Sequence, residues 1–165
     1  MAQPLPRDPA IDVVLPDEAA TAALARALAG RCRAGDVIAL KGELGTGKTS
    51  FARAFINALP RPDGATGPEE VPSPTFTLVQ TYDRLPAPVW HFDLYRIEAA
   101  EEIFELGIEE ALADGITLIE WPERLGALLP RVHLELLLCY EPRGRRATLA
   151  GTGDWPARLL GLLPL

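Results

Sequence analysis

The 165-residue sequence contains only two cysteines, Cys32 and Cys139, and they lack the close spacing of metal-ligand or redox pairs. We expect both to be reduced core residues of a cytosolic protein. No apolar run approaches the length of a membrane span, and the first residues lack the charged and apolar segments of a signal peptide. Residues 1–9 hold three prolines and are expected to form a disordered leader before a single domain at residues 10–165.

Positively charged residues are also few: the sequence has 16 Lys and Arg residues against 23 Asp and Glu residues, which gives a net charge of -7. An acidic surface repels the phosphate backbone, so strong direct binding of nucleic acid is not expected. Internal repeats, charge blocks and low-complexity tracts are absent from the sequence. A hydrophobic content of 48% and this length are sufficient for one three-layer core.

Residues 42–49 read GELGTGKT and fit the phosphate-binding template of Gly, four residues, Gly, Lys and Ser or Thr. The template demands a strand before the loop and a helix after it, and the sequence supplies an apolar segment at 36–40 and an amphipathic one at 48–58. The glycines let backbone N–H groups surround a diphosphate, and the helix N-terminus faces it. Lys48 is predicted to approach the β- and γ-phosphates and Thr49 to bind the accompanying magnesium ion.

The rest of the sequence alternates between strand and helix patterns, which predicts an α/β fold with a central, mostly parallel sheet in three layers, similar to P-loop NTPases. The last two strands are expected to form a C-terminal antiparallel pair. A Pro- and Gly-rich stretch, 60–72, is expected to be an exposed connection. The predicted helices cover 18–29, 48–58, 99–105, a short segment ending near 113, and 154 or 155 to 163. The predicted strands cover 37–40, 75–82, 89–95, 116–120, 132–140 and 145–150.

Two carboxylates are placed at predicted strand ends. Asp93 and Glu120 each close an apolar strand, and ligands of open parallel sheets lie beyond such ends. Both could reach a metal and the γ-phosphate, although acids at strand ends also serve as helix caps or solvated turn residues. Thr75, within Ser73–Thr77, could order around the γ-phosphate as switch loops do, or could simply begin an edge strand.

Three arginines, Arg143, Arg145 and Arg146, form a basic cluster. They could be a solvated hairpin turn or a contact to nucleotide, partner or tRNA. No arginine near the phosphate loop is an evident catalytic finger, so we expect slow turnover until a partner completes the site. No basic or aromatic residue indicates where an adenine base would bind. The guanine-binding pattern of Asn or Thr, Lys, any residue and Asp is also absent, which favours ATP over GTP.

Five motifs in order resemble the bacterial TsaE family, formerly called YjeE, the small ATPases of tRNA threonylcarbamoyladenosine biosynthesis. The resemblance covers residues 37–124, and its departure is a longer Pro- and Gly-rich connection at 60–72. The motifs are GELGTGKT at 42–49, SPTFTLV at 73–79, HFDLYR at 91–96, IFELGI at 103–108 and IEWPER at 119–124.

The resemblance implies a compact α/β ATPase that binds ATP and magnesium and works with the TsaB and TsaD proteins, so that contact with tRNA is indirect. It implies Thr49 and Glu120 as magnesium ligands, Asp93 as the acid needed for hydrolysis and Lys48 as a second catalytic residue. Thr75 matches the switch-like segment, and Trp121 lies beside the site. The implied phosphate cradle comprises Glu43, Leu44, Gly45, Thr46, Gly47, Lys48, Thr49 and Ser50.

Two other functions remain open from the residues alone. A small-molecule kinase could use the same loop, although the 60–72 connection offers only Arg61 for a lid over ATP. An assembly module could bind ATP to recruit partners and rarely hydrolyse it, because binding and hydrolysis use the same loop.

Overall fold

The computed structural model describes residues 10–165, so the predicted leader at 1–9 lies outside the described residues. Within residues 10–165 the chain forms seven strands, four α-helices and two 3₁₀ segments. The strands are β1 Ile11–Leu15, β2 Val37–Lys41, β3 Val79–Tyr82, β4 Val89–Asp93, β5 Ile116–Glu120, β6 Leu134–Tyr140 and β7 Arg145–Gly151. The helices are α1 Glu18–Ala29, α2 Lys48–Ala58, α3 Ile108–Asp114 and α4 Trp155–Arg158, with 3₁₀ segments at Ala100–Phe104 and Pro122–Leu128.

All strands of this range join one sheet in the order β1-β7-β6-β2-β5-β4-β3. The four central strands, β6, β2, β5 and β4, run parallel to one another. Strand β7 is antiparallel to β6 and β1, and β3 is antiparallel to β4. The predicted mostly parallel sheet with a C-terminal antiparallel pair is therefore confirmed.

Helices cover both faces of the sheet, as the buried strands demand. Alternate residues of β2 show the division, because Ile38 and Leu40 pack in one apolar cluster and Val37 in a second. The first cluster includes α1, α2 and α4, and the second includes α3 and both 3₁₀ segments. These layers confirm the predicted three-layer α/β fold. None of the helices within residues 10–165 has the length and apolar character needed to cross a bilayer.

Several predicted elements differ in extent from those observed. Residues 11–15 were not predicted as a strand, yet they form β1 by pairing along β7. The predicted strand over 75–82 begins only at Val79, because Leu78 has a φ of 68° and its N–H closes a turn to Pro74. Helix α4 stops at Arg158, whose carbonyl accepts a hydrogen bond from the Arg31 side chain.

The two cysteines also lie in different environments. Cys32 is buried, as predicted, but Cys139 is exposed, so the prediction of a core position was wrong for Cys139. The reason is the length of β6. Its last residue paired with β2 is Leu137, opposite Lys41, and the strand continues past the sheet's central core.

Candidate functional site

The phosphate-binding loop and both strand-end acids meet at one edge of the sheet. The loop follows β2, which pairs with β5 so that Leu40 lies opposite Glu120. Strand β5 in turn pairs with β4, and Asp93 lies opposite Glu120. Because carboxyl ends of parallel strands share an edge, this register brings the acids beside the loop, as the sequence predicts.

The loop backbone requires glycine at several positions. Gly45 and Gly47 have φ values of 81° and 105°, in the left-handed region that favours glycine. Gly42 has a φ of 143°, and a Cβ atom there would lie 2.5 Å from the Leu138 carbonyl oxygen. The loop therefore packs directly against β6. Gly47 also caps the N-terminus of α2, so the helix dipole points into the loop.

Lys48 is folded onto its own loop. Its ammonium group donates hydrogen bonds to the carbonyl oxygens of Gly42 and Glu43, the second at 2.9 Å. It also lies 4.1 Å from the centre of the Trp121 ring, in a cation–π contact. Burial lowers the pKa of Lys48, while the nearby charges of Glu120, Glu123 and Asp93 act in the opposite direction. The site thus concentrates a cation and several carboxylates in little space.

Trp121 reaches Lys48 because its backbone is unusual. It follows the last residue of β5 and adopts a φ of 59°, a region where non-glycine residues are uncommon. Its ring packs 5.0 Å from that of Tyr95, measured between ring centres. Backbone strain of this kind concentrates at functional sites, and here it directs an aromatic ring over the loop lysine.

Thr49 and Glu120 lie in direct contact. The Thr49 hydroxyl is 3.0 and 3.2 Å from the two carboxylate oxygens of Glu120, which is 2% exposed. A hydroxyl and a carboxylate side by side form an all-oxygen donor set that suits magnesium, which typically takes one or two protein ligands together with phosphate oxygens. No group of three or more His, Cys, Asp or Glu residues able to hold a metal occurs in the described range 10–165.

Asp93 is hydrogen-bonded to the Ser73–Thr77 segment. The Thr75 hydroxyl donates a hydrogen bond to one Asp93 oxygen at 3.1 Å, and the backbone N–H of Tyr95 donates to the other at 3.0 Å. The Thr75 hydroxyl is also 2.7 Å from that of Ser73. Asp93 is 4% exposed, so these bonds fix its orientation beside the loop.

A cavity of about 390 Å³ brings most of the predicted site residues together. It is lined by six residues from the phosphate loop and the start of α2, together with Thr75, Asp93, Glu120 and Trp121. Glu43 and Thr46 do not line it. Instead they lie against a second cavity on the β6 side of the loop, where the Thr46 hydroxyl donates to the Glu43 carbonyl at 2.8 Å. The lining residues from the loop and α2 are Leu44, Gly45, Gly47, Lys48, Thr49 and Ser50.

Arg145, one of the three arginines of the basic cluster, lines the cavity beside the phosphate loop. One terminal nitrogen donates to the Gly45 carbonyl at 3.2 Å, and its Nε is buried without a hydrogen-bond partner among residues 10–165. Its guanidinium also lies 5.7 Å from the centre of the Tyr140 ring, and the Tyr140 hydroxyl donates to Leu44. Arg145 of the basic cluster therefore lies against the loop and is not only part of a solvated hairpin turn. The detectable signal is the hairpin, whose second strand starts at the loop's edge of the sheet.

His91 is a residue that the site analysis from sequence missed. Its ring is fully buried, and Nε2 lies 2.7 Å from Glu120 Oε2. The signal available was its position two residues before Asp93 on β4, because side chains two apart on a strand share a face.

Comparison with known proteins identifies the family. The family model described as "Threonylcarbamoyl adenosine biosynthesis protein TsaE" matches residues 15–148. The chain belongs to the TsaE family. A TsaE protein from Rickettsia bellii is 40% identical over 125 residues, covering 76% of this chain and 83% of the relative. The TsaE protein of Bacillus subtilis is 36% identical over 126 residues, covering 76% and 73%.

A solved structure shares the fold over almost the whole chain. The crystal structure of Bacillus subtilis YdiB superimposes with a TM-score of 0.70 and 26% sequence identity, and the match covers 98% of this chain and 97% of YdiB. The family range 15–148 includes every residue that lines the described cavity, from Glu18 to Arg145. The candidate site therefore lies wholly within the part of the chain that defines TsaE membership.

Proposed function

We propose that this chain is a magnesium-dependent ATPase that supports the threonylcarbamoyladenosine modification of tRNA, together with the TsaB and TsaD proteins. The observation that carries the proposal is the juxtaposition of Lys48, Thr49, Asp93 and Glu120 around one cavity at the strand ends. A phosphate loop needs a metal-holding acid and a group that orients the attacking water. The two acids fit these two roles, since one contacts Thr49 and the other does not.

The residues divide the work by position. The loop N–H groups and the start of α2 bind the phosphates, and Lys48 leaves its loop carbonyls to approach the β- and γ-phosphates. Thr49 and Glu120 would hold magnesium, which supplies positive charge to the phosphate oxygens when bound. Asp93 accepts a hydrogen bond from the attacking water and orients it. Trp121 covers the lysine side of the cavity and limits the access of other water.

The proposed role in tRNA threonylcarbamoyladenosine biosynthesis is supported by family membership and by the net charge of the chain. The relatives are named for tRNA threonylcarbamoyladenosine biosynthesis. A protein of net charge -7 is poorly suited to hold tRNA by itself. Substrate recognition therefore falls to the partner proteins, and nucleotide turnover in this chain serves their reaction.

Phosphate release measured with and without TsaB and TsaD tests this function. Lys48→Ala and Asp93→Asn are each expected to lower release strongly, while Lys41→Ala is the matched control. Lys41 is the other lysine of the sequence and pairs with Glu135 at 3.5 Å. Undiminished release in Lys48→Ala would refute the ATPase assignment.

A second measurement separates turnover from nucleotide-gated assembly. Multiple rounds of tRNA modification supported by a nonhydrolysable ATP analogue would show that hydrolysis is unnecessary. ADP formation that depends on a small-molecule acceptor, without any protein partner, would instead favour a kinase. We expect neither result, because the site supplies both an acid for the metal and an acid for water.

A further inference from the structure

Glu120 is contacted by two residues from different elements of the fold. Thr49 contacts both carboxylate oxygens from α2, and His91 contacts Oε2 alone from the neighbouring strand. A carboxylate can only accept hydrogen bonds, so the His91 ring must carry its hydrogen on Nε2. The 2.7 Å separation is typical of a short hydrogen bond to a charged acceptor.

His91 cannot act on a nucleotide directly. Its side chain is 0% exposed, and it is not among the residues that line the nucleotide cavity. Strands β4 and β5 are adjacent, with Asp93 opposite Glu120, so His91 lies one diagonal position below the acid. Any effect of His91 on chemistry must therefore pass through Glu120.

The packing of His91 favours a specific role over a structural one. Its other ring nitrogen, Nδ1, is buried and has no hydrogen-bond partner among residues 10–165. An unpaired buried polar atom costs free energy, whereas an apolar side chain at this position would not carry that cost. Val89 occupies the equivalent position two residues earlier and belongs to the apolar core. The ring's one satisfied contact is the bond to Glu120.

We propose that His91 is a positioning residue that fixes the Glu120 carboxylate for magnesium, an inference that rests on the proposed function. The Thr49 hydroxyl is itself a proposed magnesium ligand, so its hydrogen bond to Glu120 would have to rearrange when the metal binds. His91 is not a proposed magnesium ligand and lies on the adjacent strand β4, so its hydrogen bond to Glu120 can persist when the metal binds. Such a partner orients a metal ligand without touching the metal.

Manganese binding in the presence of ADP, followed by electron paramagnetic resonance, tests this role without any turnover. His91→Leu is expected to weaken manganese binding about 10- to 100-fold, as loss of an outer partner of a metal ligand does. ADP affinity measured without metal is expected to be unchanged, because His91 lies outside the cavity. His91→Gln, which restores an amide donor, is expected to recover most of the manganese affinity.

Two control variants accompany these measurements. Glu120→Gln removes the proposed ligand and should abolish the metal-dependent signal. Thr117→Val changes a fully buried hydroxyl on β5 that has no hydrogen-bond partner among residues 10–165. It tests whether any change in this part of the core weakens metal binding, and wild-type behaviour is expected.

The outcomes separate the two proposals. If Glu120→Gln loses manganese but His91→Leu binds it as wild type does, the positioning role is wrong and the proposed function stands. Failure of His91→Gln to recover affinity, or equal weakening by Thr117→Val, would also overturn the positioning role in favour of core packing. If wild type binds no manganese with ADP, the magnesium site of the proposed function fails, and the role of His91 fails with it.

Discussion

The Thr75 hydroxyl donates a hydrogen bond to the Asp93 carboxylate at 3.1 Å, which joins the Ser73–Thr77 segment to the end of β4. A segment that follows a long exposed connection is thereby hydrogen-bonded to the acid that we propose orients water. Movement of this segment would release one Asp93 oxygen. The contact therefore links the order of the segment to the state of the candidate catalytic acid.

Asp93→Asn is expected to separate binding from hydrolysis. Asparagine keeps the size of the side chain but loses the charge that orients and polarises water, so kcat should fall about 100-fold or more. The ADP dissociation constant should change less than about threefold, because the loop and Lys48 are the residues proposed to bind the phosphates. Phosphate release and isothermal titration calorimetry measure the two quantities.

The control for this variant is Asp114→Asn, at the exposed end of α3, which should retain both activities. Unchanged phosphate release in Asp93→Asn would contradict the assigned role. A large loss of ADP affinity would show that Asp93 mainly shapes the binding cavity.

Thr75→Val is expected to lower hydrolysis about 10-fold, because one hydrogen bond to a charged group contributes about 1.5 kcal/mol. Valine has the same shape as threonine, so packing is preserved. The amides of Ser73–Thr77 should also exchange hydrogen faster, as hydrogen exchange with mass spectrometry can measure.

Thr75→Ser keeps the hydroxyl and should restore both properties, whereas Thr77→Val serves as the nearby control. The Thr77 hydroxyl accepts a hydrogen bond from the Gln80 side chain, whereas the hydroxyl that bonds to Asp93 is that of Thr75. Wild-type exchange and hydrolysis in Thr75→Val would rule out the link between segment and acid.

Arg145→Gln should weaken ADP binding about 10-fold, because it removes a cation and a charge-assisted bond beside the phosphate loop. Arg145→Lys should have an intermediate effect, since lysine keeps the charge but loses the planar fork. Arg143→Gln is the matched control, because Arg143 lies in the same hairpin with an exposed side chain. Equal affinities for Arg145→Gln and Arg143→Gln would show that Arg145 has a structural role only.

Local sequence signals predict those features of the site that depend on residues close together in the sequence. The GELGTGKT loop, the boundaries of α2 and the end of β5 follow from turn glycines, apolar periodicity and strand length, whereas the strand predicted over 89–95 ends at Asp93. Asp93 and Glu120 meet because both close parallel strands, which requires no knowledge of exact register. These features are fixed over a few residues and are visible in one sequence.

Contacts that depend on strand order are not visible in this way. Arg145 reaches Gly45 only because β7 pairs with β6 and β6 lies beside β2. The contact of His91 with Glu120 needs the register of β4 against β5. The turn at Thr75 depends on the positive φ of Leu78, where propensity alone predicts an extended strand.

Cys32 should make stability depend on pH in the alkaline range. Burial, and to a smaller degree the charge of Asp36, raises the pKa of this thiol, while Arg158 opposes the change. In the unfolded chain a cysteine loses its proton near pH 8.5, but the folded protein retains the proton. The unfolded state is therefore stabilised relative to the folded state as pH rises, and the free energy of unfolding falls by up to about 1.4 kcal/mol per pH unit above that value.

Urea unfolding under reducing conditions between pH 7.5 and 9.5 measures this slope. Cys32→Ala should start less stable, because it leaves a small cavity, but its stability should decline less steeply than that of wild type. Cys139→Ala should follow the wild-type slope, because solvent reaches the exposed Cys139 thiol in the folded protein as well as the unfolded one. Parallel declines in wild type and Cys32→Ala would mean that the buried thiol ionises equally in both states, against the burial seen in the structure.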